Sequence, residues 1–452
     1  MRLAAEKVGS APSASPANVF QRVALVGAVA HAGLLPITHA GMQIALGVAV
    51  VGVLGLVARH GARWPRGPAF WAAILLAGAA ALSVPVAAAV GSPPVDWRKS
   101  TSWWGILSPV VLIAALQLGR WRHDAESPRL NVVRALVAWS IGALVTSVVA
   151  WLQYGFAFDP VYALGMRSAP VIAEAPLTPG HFAAVGFFRW YTALAHTLTP
   201  PLLVAFAVAL HAPLPRWKRV LLVLAALAAA SAVVLTVSRA AWAALLLGLA
   251  LAIMLVGQSW RRAALLALVI CTAMAAHPGV RARVANLRSP EAISDRALIW
   301  SVCAEMVKDR PITGWGWGNI PARSEPYWQR IAPEFPLHAW CHNSFFTAWA
   351  EGGPVLAFAL AAYWALVGAA CWRARRGDRW ARAAAAGGLA MLAATFLNGM
   401  LHDIFRSGES TLALGFAVAA VVVLARGDGP AQSAARSAGT SGGDVNAGDE
   451  PG

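Results

Sequence analysis

Residues 216–262 read RWKRVLLVLAALAAASAVVLTVSRAAWAALLLGLALAIMLVGQSWRR. A helix crosses a bilayer with about 20 mostly apolar residues. The stretch offers two such runs, 219–237 and 240–257, meeting at a tight turn around Ser238-Arg239. Both far ends are basic, with Arg216, Lys218 and Arg219 before the pair and Arg261 and Arg262 after it. The positive-inside rule puts those ends in the cytoplasm and the turn on the opposite side. Arg239 then stands on the side where arginine is least expected.

The same pattern extends over the chain. Further spans read at 19–37, 41–58, 68–90, 103–119, 131–153, 190–211, 263–277, 344–372, 383–401 and 410–426. They predict an all-α polytopic membrane protein of about twelve transmembrane helices. The chain is 58% hydrophobic and 12% charged, whereas a soluble domain carries roughly 25% charged residues. The net charge of +16 falls in short blocks between spans, including Arg59/Arg63/Arg66, Arg120/Arg122/Arg129 and Arg373/Arg375/Arg376/Arg379/Arg382. Blocks so placed mark the cytoplasmic face and its anionic lipids, not nucleic acid. The tails, 1–18 and 427–452, are polar and read as disordered. Residues 19–277 hold transmembrane helices 1–9 and 344–426 hold helices 10–12. Between them, 278–343 is a non-cytoplasmic loop too long for a linker, and it is expected to carry function.

Within that loop Ser294 is the expected N-cap of an amphipathic helix, Asp295–Lys308, with Leu298, Val302 and Met306 on one face. Pro311 ends it, and Gly314-Trp-Gly-Trp-Gly318-Asn follows as a turn whose tryptophans suit the headgroup level. Cys303 and Cys341 both fall in the loop, and whether they pair is open at this level.

Outer-side arginines break the positive-inside rule: Arg167, Arg189, Arg239, Arg281, Arg283, Arg288, Arg296, Arg310, Arg323, Arg330 and Arg406. A guanidinium never loses its charge and its fork matches phosphate. Such a cluster at a membrane face suits a lipid-linked pyrophosphate. Against this stands a snorkelling role for Arg189 and Arg239 at span ends, and a solvated surface role for each loop arginine taken alone. His338 and His342 would share a face if their stretch were helical, and a neutral imidazole accepts a hydroxyl proton near neutral pH. The alternative is that His342-Asn343 only caps the next helix. No DxD, HExxH or close acidic cluster suggests a metal, and no P-loop or GxGxxG suggests a nucleotide cofactor.

Taken in order, these residues resemble a family. Ser238-Arg239 lies between spans; Arg296, Trp300, Asp309-Arg310-Pro311 and the Gly-Trp turn follow; then come His338, His342-Asn343 and Glu351-Gly352-Gly353. The set resembles the O-antigen ligase and polymerase superfamily, over roughly residues 185–365 by motif and over the whole chain by topology. It looks most like the ligases, whose pattern is His-Asn, nine residues, then Gly-x-x-Gly. Here Leu356 replaces the second glycine. The resemblance implies a GT-C-like membrane glycosyltransferase of the bacterial inner membrane, with a periplasmic active site in loop 278–343. It implies an undecaprenyl pyrophosphate-linked O-antigen donor, a lipid A-core acceptor, and neither metal nor ATP. On that reading His338 is the general base with His342 as substitute, Arg189, Arg239 and Arg288 bind pyrophosphate, and Arg296 supports the site. An O-antigen polymerase or protein O-oligosaccharyltransferase would use the same donor. A small-solute transporter is disfavoured, because polar residues crowd the outer face and not the midplane.

Overall fold

The computed structural model describes residues 18–121, 127–169, 182–255, 261, 281, 290–335 and 340–426, with the backbone alone for 290–295. Helix α1 (Val19–Leu34) and α2 (His39–His60) form a hairpin, followed by α3 (Pro68–Ala89), α4 (Trp97–Leu118) and α5 (Pro128–Phe156). Next come α6 (Tyr191–His211), α7 (Arg216–Leu235) and α8 (Arg239–Met254). Helix α9 (Pro290–Asp309) belongs to the large loop, and α10 (Ser344–Ala374), α11 (Arg379–Gly399) and α12 (Gly408–Arg426) close the fold.

Among the described residues nine helices are long and apolar enough to cross a membrane, and α1 and α8 are shorter apolar helices. Each expected span coincides with a helix except 263–277, which lies outside the described residues, as do the tails 1–17 and 427–452. Asn18 is ordered: it closes a capping box with Gln21 at the start of α1.

The alternation of short basic and longer polar connections is visible in the contacts. At one end Arg129 pairs with Asp378 at 2.6 Å, and Arg426 donates to the Arg66 carbonyl at 2.7 Å. At the other end the loop after α3 meets the Gly-Trp turn, with Ser92 Oγ donating to the Trp315 carbonyl and Val95 N–H to Asn319 Oδ1, both at 3.1 Å. Helix α6 is the central post, with 94% of its apolar stretch buried, against 28% for α10. Lipid is as apolar as leucine, so packing here depends on close approach of small residues. Gly27 and Gly52 meet the backbones of Ala49 and Ala24 and bring α1 against α2.

Helix α10 is broken at Gly353, whose φ of 62° is left-handed. The next residue, Pro354, has no N–H, so the Ala350 carbonyl four residues earlier loses its helical donor. Trp315 N–H supplies that bond at 2.9 Å, and Gly316 N–H serves the Glu351 carbonyl at 2.7 Å. The broken helix therefore becomes the dock for the Gly-Trp turn. A Cβ on Gly353 would fall 1.9 Å from the Ile312 carbonyl oxygen. Gly353→Ala is expected to cost more than the ~1–2 kcal/mol of a left-handed alanine, because Ile312 must also move. A thermal melt in detergent reads this as a clear drop in Tm, and an unchanged Tm would show that the kink is adaptable.

Three local expectations need correction. Helix α9 begins at Pro290, so Ser294 lies inside it and does not cap it. Proline suits the first helical turn, where its missing N–H has no partner to lose. The buried face is Ile299, Val302, Cys303 and Met306. Trp317 is 4% exposed and donates its indole N–H to Ser102 Oγ at 3.1 Å, so it is a packing residue and no headgroup anchor. Finally, residues 340–343 are not helical, so the one-turn relation between His338 and His342 does not apply.

Candidate functional site

His342 sits at the entrance to α10 with φ 52°. Left-handed backbone is uncommon for a residue with a Cβ and persists where surroundings impose it. Three constraints do so here. Its N–H donates to Asp403 Oδ2 at 2.8 Å. On its C-terminal side, Asn343 Oδ1 accepts from Phe345 N–H and Phe346 N–H, both at 3.0 Å, and so caps α10. On its N-terminal side, Cys341 is disulfide-bonded to Cys303 of α9, with a Cα–Cα distance of 5.9 Å. Asn343 thus takes the capping role, and His342 beside it is half-buried.

The bridge closes a loop with a sequence separation of 38. Chain-entropy reasoning gives roughly 3–4 kcal/mol for such a closure. Reductant is therefore expected to lower the Tm of the wild type and to leave a Cys303→Ser/Cys341→Ser variant unmoved. Equal shifts in both would sink this assignment.

The ring of His402 lies 5.0 Å from that of His196 on α6 and 6.2 Å from that of His342. Burial, with His196, Arg296 and His342 around it, holds His402 well below its ordinary value, so it is neutral at pH 7. Arg296 also acts on Asp403. The structure thus gathers His342, His402, His196, Asp403 and Arg296 from α6, α9, the α10 entrance and the α11–α12 connection. Among the described residues no group of three His, Cys, Asp or Glu side chains is placed to hold a metal ion.

Asp403 accepts from Thr347 Oγ1 and from the backbone of His342, yet burial pushes its carboxyl up to about 6. A folded-state value above the ordinary 3.8 means that folding favours the protonated form. That contribution is complete below about pH 4 and is lost as pH rises through about 6. Wild-type stability measured against Asp403→Asn should therefore fall between about pH 4 and pH 6 and level off above. A flat difference would show that Asp403 does not titrate there.

Arg239 and Arg189 stand on two segments that pack together and form one rim of the bundle. Arg239 is the first residue of α8 and half-buried, behind the Ser238 cap and Val237 at φ 57°. A cation at a helix N-terminus opposes the macrodipole, which favours anions there. Val237 and Trp242 pack with Ala183 and Tyr191, and Ala184 N–H donates to the Leu235 carbonyl at 2.9 Å. The strand-like segment before α6 is therefore tied to the α7–α8 turn. Arg189 is exposed, with its guanidinium 5.6 Å from the Trp190 ring centre. His196 lies five residues beyond Tyr191, about 7.5 Å along α6.

Arg167 is not on the rim. It donates to Asp159 at 3.0 Å, to the Gly186 carbonyl at 3.0 Å and to the Phe188 carbonyl at 2.6 Å. Gln153 accepts from Val185 and Gly186 N–H. This network fixes the segment that presents Arg189. Arg288 and His338 lie outside the described residues.

Sequence reasoning missed His196, His402, Asp403 and the pair Glu351–Arg406. Arg406 Nη2 forms an ion pair with Glu351 Oε2, with side-chain exposures of 6% and 0%. Its guanidinium also stacks 3.6 Å from the Trp317 ring centre. Glu351 Oε1 accepts Gly318 N–H at 3.0 Å. A carboxylate inside an apolar span is the signal that was available.

The described chain is a polytopic helical membrane protein with a polar cluster at one end. Residues 221–361 match the family model described as O-antigen ligase, which supports membership of the O-antigen ligase/polymerase superfamily and a glycosyltransferase-like activity. No curated protein matches the sequence. The matched range includes Arg239, Arg296, His342, Glu351 and Gly353; Arg189, His196, His402, Asp403 and Arg406 lie outside it.

Proposed function

We propose that the protein is an O-antigen ligase of the bacterial inner membrane. It moves O-antigen from undecaprenyl pyrophosphate to a sugar hydroxyl of lipid A-core on the periplasmic face. The observation that carries this is His342: a half-buried imidazole held in a left-handed backbone beside Asp403 and His402, at the end of the bundle away from the basic connections. The Cys303–Cys341 bridge supports an oxidising, non-cytoplasmic side for this end.

His342 takes the proton of the attacking hydroxyl. The hydroxyl oxygen bonds to the anomeric carbon as the carbon–oxygen bond to pyrophosphate breaks, which inverts that carbon. Undecaprenyl pyrophosphate leaves with the electron pair. Arg189, Arg239 and Arg288 stabilise its developing charge, a contribution that fixed cations make in a partly dry site. Arg296 supports the loop and sets the field at His402 and Asp403.

The test is purified protein with the lipid-linked O-antigen and lipid A-core, without ATP and with chelator, run beside His342→Ala. A ladder on lipid A-core that the variant lacks is expected. One observation favours a polymerase as second reading: Leu356, fully buried, stands where the ligase pattern has glycine. Donor alone would then give longer chains, and lipid A-core would stay bare.

A further inference from the structure

A residue with a Cβ stays in left-handed backbone only where its surroundings over-determine it, and His342 is such a residue. Its bond to Asp403 and the neighbouring Asn343 cap are noncovalent. The tie on its N-terminal side is covalent, through Cys341 to Cys303 of α9. Cys341 is 0% exposed and Cys303 3%, and both pack with Ile299, Val302, Met306 and Ala350. The bridge therefore fastens the residue before His342 to the packed body of the outer loop.

Cys303 has a second connection to the site. Arg296 lies seven residues before it on α9, two turns away on the same face. Arg296 acts on His402 and on Asp403, the two groups beside His342. One covalent link thus fixes His342 relative to the helix whose cation sets the field around it. The far end of α9 is held by other means. Trp315 Nε1–H donates to the Met306 carbonyl at 2.9 Å, and the Tyr327 hydroxyl donates to Asp309 at 2.5 Å. Without the bridge those attachments remain and the loop stays folded, but the covalent tie between α9 and residue 341 is gone.

We infer that the Cys303–Cys341 bridge positions His342 for proton transfer, so that the site is complete only after the two thiols are oxidised on the non-cytoplasmic side. Cys303 and Cys341 are positioning residues: they act through His342 and touch no substrate. The oxidant is a disulfide that exchanges with the two thiols. It takes up two electrons and two protons and leaves as two thiols, while one sulfur–sulfur bond forms here. The inference rests on the reading of His342 as the base.

The experiment compares the full-length wild type with Cys303→Ser/Cys341→Ser and with Cys303→Ala/Cys341→Val, which keeps apolar packing, well below the melt of each. Transfer kcat is expected to fall about 10–10²-fold in both variants, up to the scale of an ångström misplacement, with donor KM near wild type. Hydrogen exchange gives a readout that needs no reaction. The residue 342 amide, which donates to Asp403, should exchange faster in both variants, and the amides of α6 should not. Wild type isolated with free thiols should match the serine variant, and oxidised glutathione should restore its kcat as the bridge forms. An unchanged kcat in a folded variant would overturn the inference whatever happens to Tm, because the bridge would then only brace the loop. An unchanged exchange rate at residue 342 would overturn it as well. If the bridged wild type transfers no glycan to any acceptor, the functional reading fails, and exchange at residue 342 still decides whether the bridge positions it.

Discussion

His342→Ala is expected to lower kcat for glycan transfer by about 10²–10⁴-fold, the usual worth of a positioned general base. Donor KM should stay near wild type, because the arginines of the rim are untouched. The variant should also remain folded. The bond from residue 342 to Asp403 is made by backbone N–H, which alanine retains. Alanine at φ 52° carries the same kind of backbone strain that histidine already bears. His342→Gly makes the stronger control. Glycine relieves the left-handed strain, so this variant should be at least as stable as His342→Ala and just as inactive. An active His342→Gly enzyme would move the base elsewhere, and His338 would be the first place to look.

The membrane architecture was legible because it rests on local properties. Apolar run length and flanking basic blocks are read within one window of sequence, and each described span fell where those windows put it. His342, Asn343 and Gly353 were legible as an ordered motif, although residues 340–343 are not helical. What no window contains is pairing over distance. Asp403 meets the backbone of His342 from sixty residues away, and Arg406 meets Glu351 across a similar gap. Arg406 stood out as a rule-breaking charge, but nothing local named its partner. His196 sits among apolar residues of the central helix, where an isolated histidine looks like packing until His402 is brought to it. Arg167 shows the converse. It shares the rule-breaking pattern of Arg189, yet its donors are spent on Asp159 and two carbonyls.

Arg406→Met is expected to destabilise the fold by about 3–5 kcal/mol, the typical result of stripping one partner from a buried ion pair. Glu351 is fully buried and its other oxygen already serves Gly318 N–H, so no solvent reaches in to replace the lost cation. Glu351→Gln should cost a similar amount for the opposite reason, because it leaves Arg406 charged against Trp317 with no counter-ion. The double variant should recover much of the loss. Glutamine still offers an oxygen to Gly318, methionine fills the space along the indole, and no buried charge remains. A double-mutant cycle on Tm or on unfolding in denaturing detergent reads this coupling directly. Additive losses would mean that each residue acts through separate contacts. The transfer assay then separates stability from function. If the double variant is stable but slow, the pair serves the site as well as the fold, because Arg406 follows closely on Asp403 in one short connection and Glu351 lies on the helix that His342 opens. If it is stable and fully active, the pair is there to bind the Gly-Trp turn to the broken helix, and the chemistry ends at Asp403.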